Sequence, residues 1–236
     1  MAIKNRKELK LAFKKGNIPT QDDFENLIDS LVHKHEDGLF DENNGICISS
    51  SGASNKLVSF CESMNKKNIL WSLEQNTNIN NDSGLNLVDK NGDSIMYINN
   101  KSFIGIGNVT PQCKLDVNGE IQTTGRRGTY KYGRVLGDGK WHVIIDQLSD
   151  CHVFEIVAKI NKYNFGRHSI IHAIAANAFN GKGNKINITN AFYGDSKNSI
   201  DLCWDGEEFN YNLKIRTTNN YDGEFYIEYY ITNLWW

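Results

Sequence analysis

Long apolar runs are missing. None of the 236 residues lies in a run that reaches the roughly 18 needed to span a membrane, so no membrane insertion is expected. The start, "MAIKNRKELKLAFKKGN", lacks an apolar signal core, which predicts synthesis in the cytoplasm without a signal peptide. An excess of one charge is also lacking. The formal net charge is −2, so bulk charge gives no reason to expect nucleic acid as a partner. Cysteine is sparse and unpaired in spacing: Cys47, Cys61, Cys113, Cys151 and Cys203 form no C-x-x-C. That pattern argues against a disulfide framework or a zinc ribbon and predicts buried free thiols. Catalytic signatures are missing too. There is no G-x-S-x-G elbow and no G-K-[ST] phosphate loop. Proline occurs only 2 times against 20 glycines.

Asparagine and glycine recur between short apolar runs, as in "NINNDSGLN" and "TTNNYDG", which suits tight turns joining many strands. The first 38 residues differ. In "NRKELKLAFKKG", Asn5 is placed to cap a helix with Glu8 three residues on and Gly16 as a stop. In "PTQDDFENLIDSLVHKHEDG", Thr20 caps, Asp22 and Asp23 sit at the positive helix start, and Gly38 ends the pattern. Phe24, Leu27, Ile28, Leu31 and Val32 form one apolar stripe, while His33 and His35 suit the helix end. The stripe serves equally a helical hairpin packed on its own domain and an oligomerising or docking segment.

From Leu39 to about Ser102 the period falls to two. "GICISS", "NKLVSFCES", "NILWSLEQ", "GLNLVDKNG" and "SIMYINN" read as short strands, with Asn91-Gly92 predicting a type I′ hairpin turn. These strands hold too few large apolar residues for a thick core, so cover from another chain or domain is expected. Beyond "TTGRRG" (Thr123 to Gly128), read as a solvated linker, the runs lengthen. "WHVIIDQL", "HVFEIVAKI", "SIIHAIAANAF", "KINITNAFYG", "SIDLCWDG", "FNYNLKIRT" and "EFYIEYYITNLWW" predict an antiparallel β-sandwich with its own core.

Between the two lies "GIGNVTPQCKLDVNGEI". Gly105 and Gly107 open a would-be dinucleotide fingerprint, but no third glycine follows, and "KLDVNG" reads as strand and turn rather than helix. A phosphate cradle is therefore rejected. The stretch from Ser83 to Ile121 instead resembles the "GIG…P…KLDVNG" collar of tail fibres and adhesins in phages and phage-like particles. It matches at Gly105, Ile106, Gly107, Pro111, Lys114, Leu115, Asp116, Val117, Asn118 and Gly119. "FKKGNIPTQDDFENLIDSLVHKHED" resembles the helical leader of such proteins, at Phe13, Gly16, Pro19, Thr20, Phe24, Leu27, Ile28, Asp29 and Ser30. The resemblance implies a homotrimer whose collar residues Gly105, Gly107, Pro111, Leu115, Val117 and Gly119 lie near a threefold axis. Many proteins with this collar end in a self-cleaving chaperone domain; nothing here resembles one.

Candidate chemistry is thin. His168 and His172 share a strand face and could hold a metal with Asp201 or Glu155, but no third ligand is spaced to complete a site, and no metal or other cofactor is expected. Asp205, Glu207 and Glu208 in "WDGEEF" suit a solvated turn better than a hydrolytic pair. Aromatic residues are the more suggestive set. Tyr193, Trp204, Tyr221 and Trp236 are candidates for a binding surface, because rings stack on sugars and anchor interfaces. As core fillers, Trp141 and Trp204 are expected to be largely buried. Neighbours on a strand face opposite ways, so Trp235 and Trp236, like Tyr229 and Tyr230, cannot both point inward.

The resulting expectation is a mainly β, non-enzymatic homotrimer of a phage or contractile injection particle, released with it outside the cell. Residues 1–38 would dock on baseplate or other particle proteins. Residues 39–125 would form an intertwined shaft and collar. Residues 126–236 would be a sandwich head that attaches to a cell-surface glycan or protein. A structural baseplate or capsid-decoration protein is the alternative, and a carbohydrate-active enzyme fits less well.

Overall fold

The computed structural model describes residues 4–31, 47–48, 50, 54–63, 68–75 and 83–235. It is mainly β, and the chain divides into two units, Met1–Gln122 and Thr123–Trp236.

In unit one, helix α1 (Arg6–Ala12) starts as its sequence dictates. Asn5 Oδ1 accepts the Lys7 and Glu8 amides at 2.9 and 3.1 Å, and Glu8 accepts the Asn5 amide in return. Helix α2 (Gln21–Asp29) repeats the device with Thr20 and Asp23, and Phe13 meets Phe24 edge to face at 5.3 Å. This helix stops at Asp29, where Ser30 caps it and accepts the Lys4 amide at 3.0 Å, so it does not run on to Gly38. Val32, His33, His35 and Gly38 lie outside the described residues. Neither helix buries a residue; Phe24, Ile28 and Leu31 are all exposed.

Six strands follow in sequence order: β1 (Lys56–Cys61), β2 (Ile69–Gln75), β3 (Gly84–Asp89), β4 (Ser94–Asn99), β5 (Ile104–Ile106) and β6 (Leu115–Val117). The first five are antiparallel, whereas β5 and β6 are parallel. Of "GICISS", the described residues 47, 48 and 50 are not in a strand. The β3–β4 turn is not type I′, because only Gly92 has a positive φ (+90°). The Asp89 carboxylate accepts the Asn91 and Asp93 amides at 2.8 and 2.9 Å, which gives a wider loop closed by glycine.

Unit two contains β7 (Lys131–Leu136), β8 (His142–Leu148), β9 (Cys151–Lys162), β10 (Arg167–Ala178), β11 (Lys185–Tyr193), β12 (Ile200–Glu207), β13 (Asn210–Thr217) and β14 (Tyr226–Asn233). They form a five-stranded sheet, β11-β10-β9-β14-β7, and a three-stranded sheet, β12-β13-β8, antiparallel throughout. Strict alternation in β9 and β10 turns Phe154, Ile156, Ala158, Ile160, Ile171, Ala173 and Ala175 inward. They meet Tyr211, Leu213 and Ile215 of β13 in one core. Strand β7 escapes the pattern because its inward side carries Lys131 and Gly133, leaving Val135 as the one aliphatic residue there. The cysteines are not buried: four are exposed and Cys203 is intermediate.

Candidate functional site

The "GIG…KLDVNG" stretch forms an unusually short connection between the parallel strands β5 and β6. Parallel neighbours ordinarily need a dozen or more linking residues. Here residues 107–114 suffice, because Gly107 adopts φ +64° and Asn108 Oδ1 accepts the Thr110 amide at 2.8 Å. Asp116 accepts the Gln112 amide at 2.9 Å, and the Ile104 and Asn118 amides close the ladder at 3.0 Å each. The need for Gly105 is intrachain: an added Cβ would lie 1.9 Å from the Asn108 carbonyl oxygen, so the loop crosses directly over it. Pro111, within this loop, is buried, while Gly119 has open space around it.

The crossover lies over Gly105, and on the same face of the sheet Tyr97, Val88, Asn86 and Ser72 are buried, with the Tyr97 ring against Gly84. The opposite face is the apolar one, and it is only partly covered: Leu85, Met96, Ile106 and Leu115 are exposed and the other members of its two rows are half-buried. In register across all six strands run Val58, Leu73, Leu87, Met96, Ile106 and Val117. A second row joins Leu85, Ile98, Ile104 and Leu115. Leu115 is 57% exposed, and none of these ten side chains is buried.

In unit two, the outer face of the five-stranded sheet gathers the polar groups. Arg126 and Arg127 are not a free linker: Arg126 pairs with Glu155, and the Arg127 guanidinium lies 4.6 Å from the Tyr230 ring centre. Gly128 passes so close to Thr232 that no side chain fits there. These residues border a groove of about 280 Å³ floored by Val157 and Ile170. His172 Nε2 sits 3.0 Å from Glu155 Oε1, and that hydrogen bond, followed by the Arg126 charge, holds the Glu155 carboxyl below its ordinary range against the opposing effect of burial. Asp201 lies in the other sheet, paired with Arg216 at 3.2 Å. Among the described residues no group of three or more His, Cys, Asp or Glu side chains is arranged to hold a metal ion.

The aromatic candidates separate. Tyr193 is exposed at the end of β11. Tyr221 is fully buried, its hydroxyl donating to the Asn198 carbonyl at 3.1 Å and its pKa pushed up to about 12 by burial, so it is not a surface residue. Trp204 turns inward and packs on Phe154 and Tyr211, so it too leaves the surface set. Trp236 lies outside the described residues. Trp141 is not largely buried; at 37% exposure it lies beneath the Arg216 guanidinium, 4.3 Å from its ring centre. Tyr229 faces the core and Tyr230 the outer surface, as alternation requires. Gly206 sits inside β12 rather than in the turn, and Asp205 is neutralised by Lys214.

The sequence reading passed over Tyr163, which is 72% exposed and belongs to the turn between β9 and β10. The available signal was "KYNFGRH", an aromatic residue just before a glycine-closed turn that leads into His168. No helix among the described residues is long and apolar enough to cross a membrane. No protein-family model and no curated protein sequence matches the chain.

Proposed function

We propose that this chain is one subunit of a non-enzymatic, homotrimeric tail-fibre or adhesin-like protein of a phage or contractile injection particle. The observation that carries the reading is the incompletely covered apolar face of the six-stranded sheet, where the row Val58–Leu73–Leu87–Met96–Ile106–Val117 has no buried member and Leu85, Met96, Ile106 and Leu115 are exposed. A sheet that buries its more polar side and leaves its aliphatic side only partly covered is the reverse of a self-sufficient fold. Covering the four exposed side chains contributes about 1 kcal/mol each, and completing the burial of the six half-buried ones adds less per side chain, so association is favoured. Sister chains are the natural cover, because three equivalent ladders can close around one axis without leaving an edge. The exposed stripe Phe24, Ile28 and Leu31 then serves docking on the particle, and unit two is the attachment head. Three heads on one shaft compensate for weak single contacts.

Light scattering on the purified chain tests the assembly. The expected result is a stable particle of three chains at dilute concentration; a folded single chain overturns it. Attachment is tested separately with fluorescent unit two on whole cells. A trimer whose heads bind only particle proteins would favour the structural alternative.

A further inference from the structure

Unit two has two ends. The chain comes in at one, where Arg126 meets Glu155, the Tyr130 amide donates to the Ile231 carbonyl at 3.0 Å, and the Leu234 amide donates to the Val153 carbonyl at 2.9 Å. The other end is formed by the β9–β10 turn and the finish of β11. There, on the outer face, Tyr163 is 72% and Tyr193 66% exposed, and the His168 ring lies 5.8 Å from the first and 6.0 Å from the second. Their placement follows from the register. His168 pairs with Tyr193 across β10 and β11, so both point outward. Gly166 supports the Tyr193 ring: it has φ +61°, and a Cβ there would lie 3.4 Å from the ring edge. The rings are therefore held in place but not covered.

We infer that Tyr163, His168 and Tyr193, with Asn161 and Lys159, form a binding site for an uncharged oligosaccharide. This rests on the reading of unit two as an attachment head, and names what the head takes. Two adjoining depressions of about 320 and 260 Å³ share Lys159 and Asn161; Tyr193 and His168 line the first, and Tyr163 lines the second. That is room for successive sugar rings. A pyranose offers an apolar C–H face for stacking and a rim of hydroxyls that both donate and accept. The site supplies both needs. Among the described residues, the side-chain polar atoms of Tyr163, His168, Tyr193 and Asn161 make no protein hydrogen bond, so they are available to hydroxyls. Charge decides against an anionic ligand. The two depressions carry Lys159 and Arg134 against Glu224 and Glu228, with Lys159 paired to Glu228 at 3.4 Å and the neighbouring Arg167 paired to Asp222 at 3.4 Å, so they offer no excess positive charge to an anion.

The test is saturation-transfer NMR on the full chain with cellohexaose, mannohexaose and hexa-N-acetylchitohexaose, and oligogalacturonate as the charged control. At least one neutral probe binds at millimolar concentration or below. Tyr163→Ala and Tyr193→Ala each weaken it roughly ten-fold, the usual consequence of removing an anchoring ring. Tyr193→Phe keeps the stacking face and changes affinity far less than Tyr193→Ala. Melting temperatures of the variants show that the unit remains folded. The site is overturned if no neutral probe binds, if oligogalacturonate binds better, or if the alanine variants bind as well as the parent. Light scattering on the same samples keeps the two readings apart. A trimer without sugar binding removes only the site; a single folded chain that still binds sugar removes only the fibre.

Discussion

Unit one and unit two are both β-rich, yet they handle apolar surface in opposite ways. In unit two every strand contributes to, or packs beside, one closed core running from Ile144 to Ile231 in sequence. In unit one, among the described residues, the buried apolar side chains are Val88, Tyr97 and Pro111, while the aliphatic ladder on the other face has no buried member. The same alternating pattern thus gives a self-contained domain where two sheets can face each other, and an unfinished one where a lone sheet has its crossover loop on the more polar side.

The sharpest way to break this contrast is a charge on the ladder. Ile106 is 36% exposed in the single chain, so an aspartate there is tolerated by an isolated sheet. In an assembly that covers the face, it would be buried without a partner at a cost of several kcal/mol. Ile106→Asp should therefore release single chains in light scattering and leave the melting transition of unit two unchanged. Trimers that persist would show that this face is not the interface.

The converse test removes a core side chain. Phe154 is fully buried, stacked on Tyr130 and against Trp204. Phe154→Ala should lower the stability of unit two by about 3–5 kcal/mol in denaturant titration, with no change in the number of chains per particle. A smaller step within unit one is Gly105→Ala. A methyl group 1.9 Å from the Asn108 oxygen forces the crossover loop away, at a cost of about 1–3 kcal/mol. The readout is proteolysis between Gly107 and Lys114, which should quicken.

Much of the β architecture was legible because local rules sufficed. Asn5 and Thr20 cap as their sequence positions indicate, and strict alternation located β8 to β14. The errors arise where side chains meet across the sequence. Tyr221 looks like a surface aromatic between Asn220 and Asp222, but its ring closes the core. Gly105 resembles a residue for approach between chains, yet its own loop occupies that space. Arg126 and Arg127 sit in a polar, glycine-flanked run that reads as solvated, and the partners that hold them, Glu155 and Tyr230, are far along the chain. The partly covered ladder was visible only as a shortage of large apolar residues; its row-by-row alignment depends on register, which alternation alone does not set.

The smallest effect concerns how the segment before β7 is fastened. Glu155 accepts hydrogen bonds from His172 and Arg126, and its pKa is lowered from 4.5, chiefly by the bond from His172. A carboxyl with a depressed folded pKa contributes stability above its unfolded value and loses it as pH falls through the folded one. The loss should therefore develop below about pH 4.5, the unfolded value. Arg126 remains largely exposed, so solvent screens the pair and the contribution is about 0.5–1 kcal/mol. In melts of unit two, Glu155→Gln should lower stability by that amount at neutral pH, and the difference from the parent should vanish under acid. A constant difference across the whole range would mean that Glu155 supports the fold by packing alone, and that Arg126 and Arg127 are held on the sheet by the Tyr230 ring.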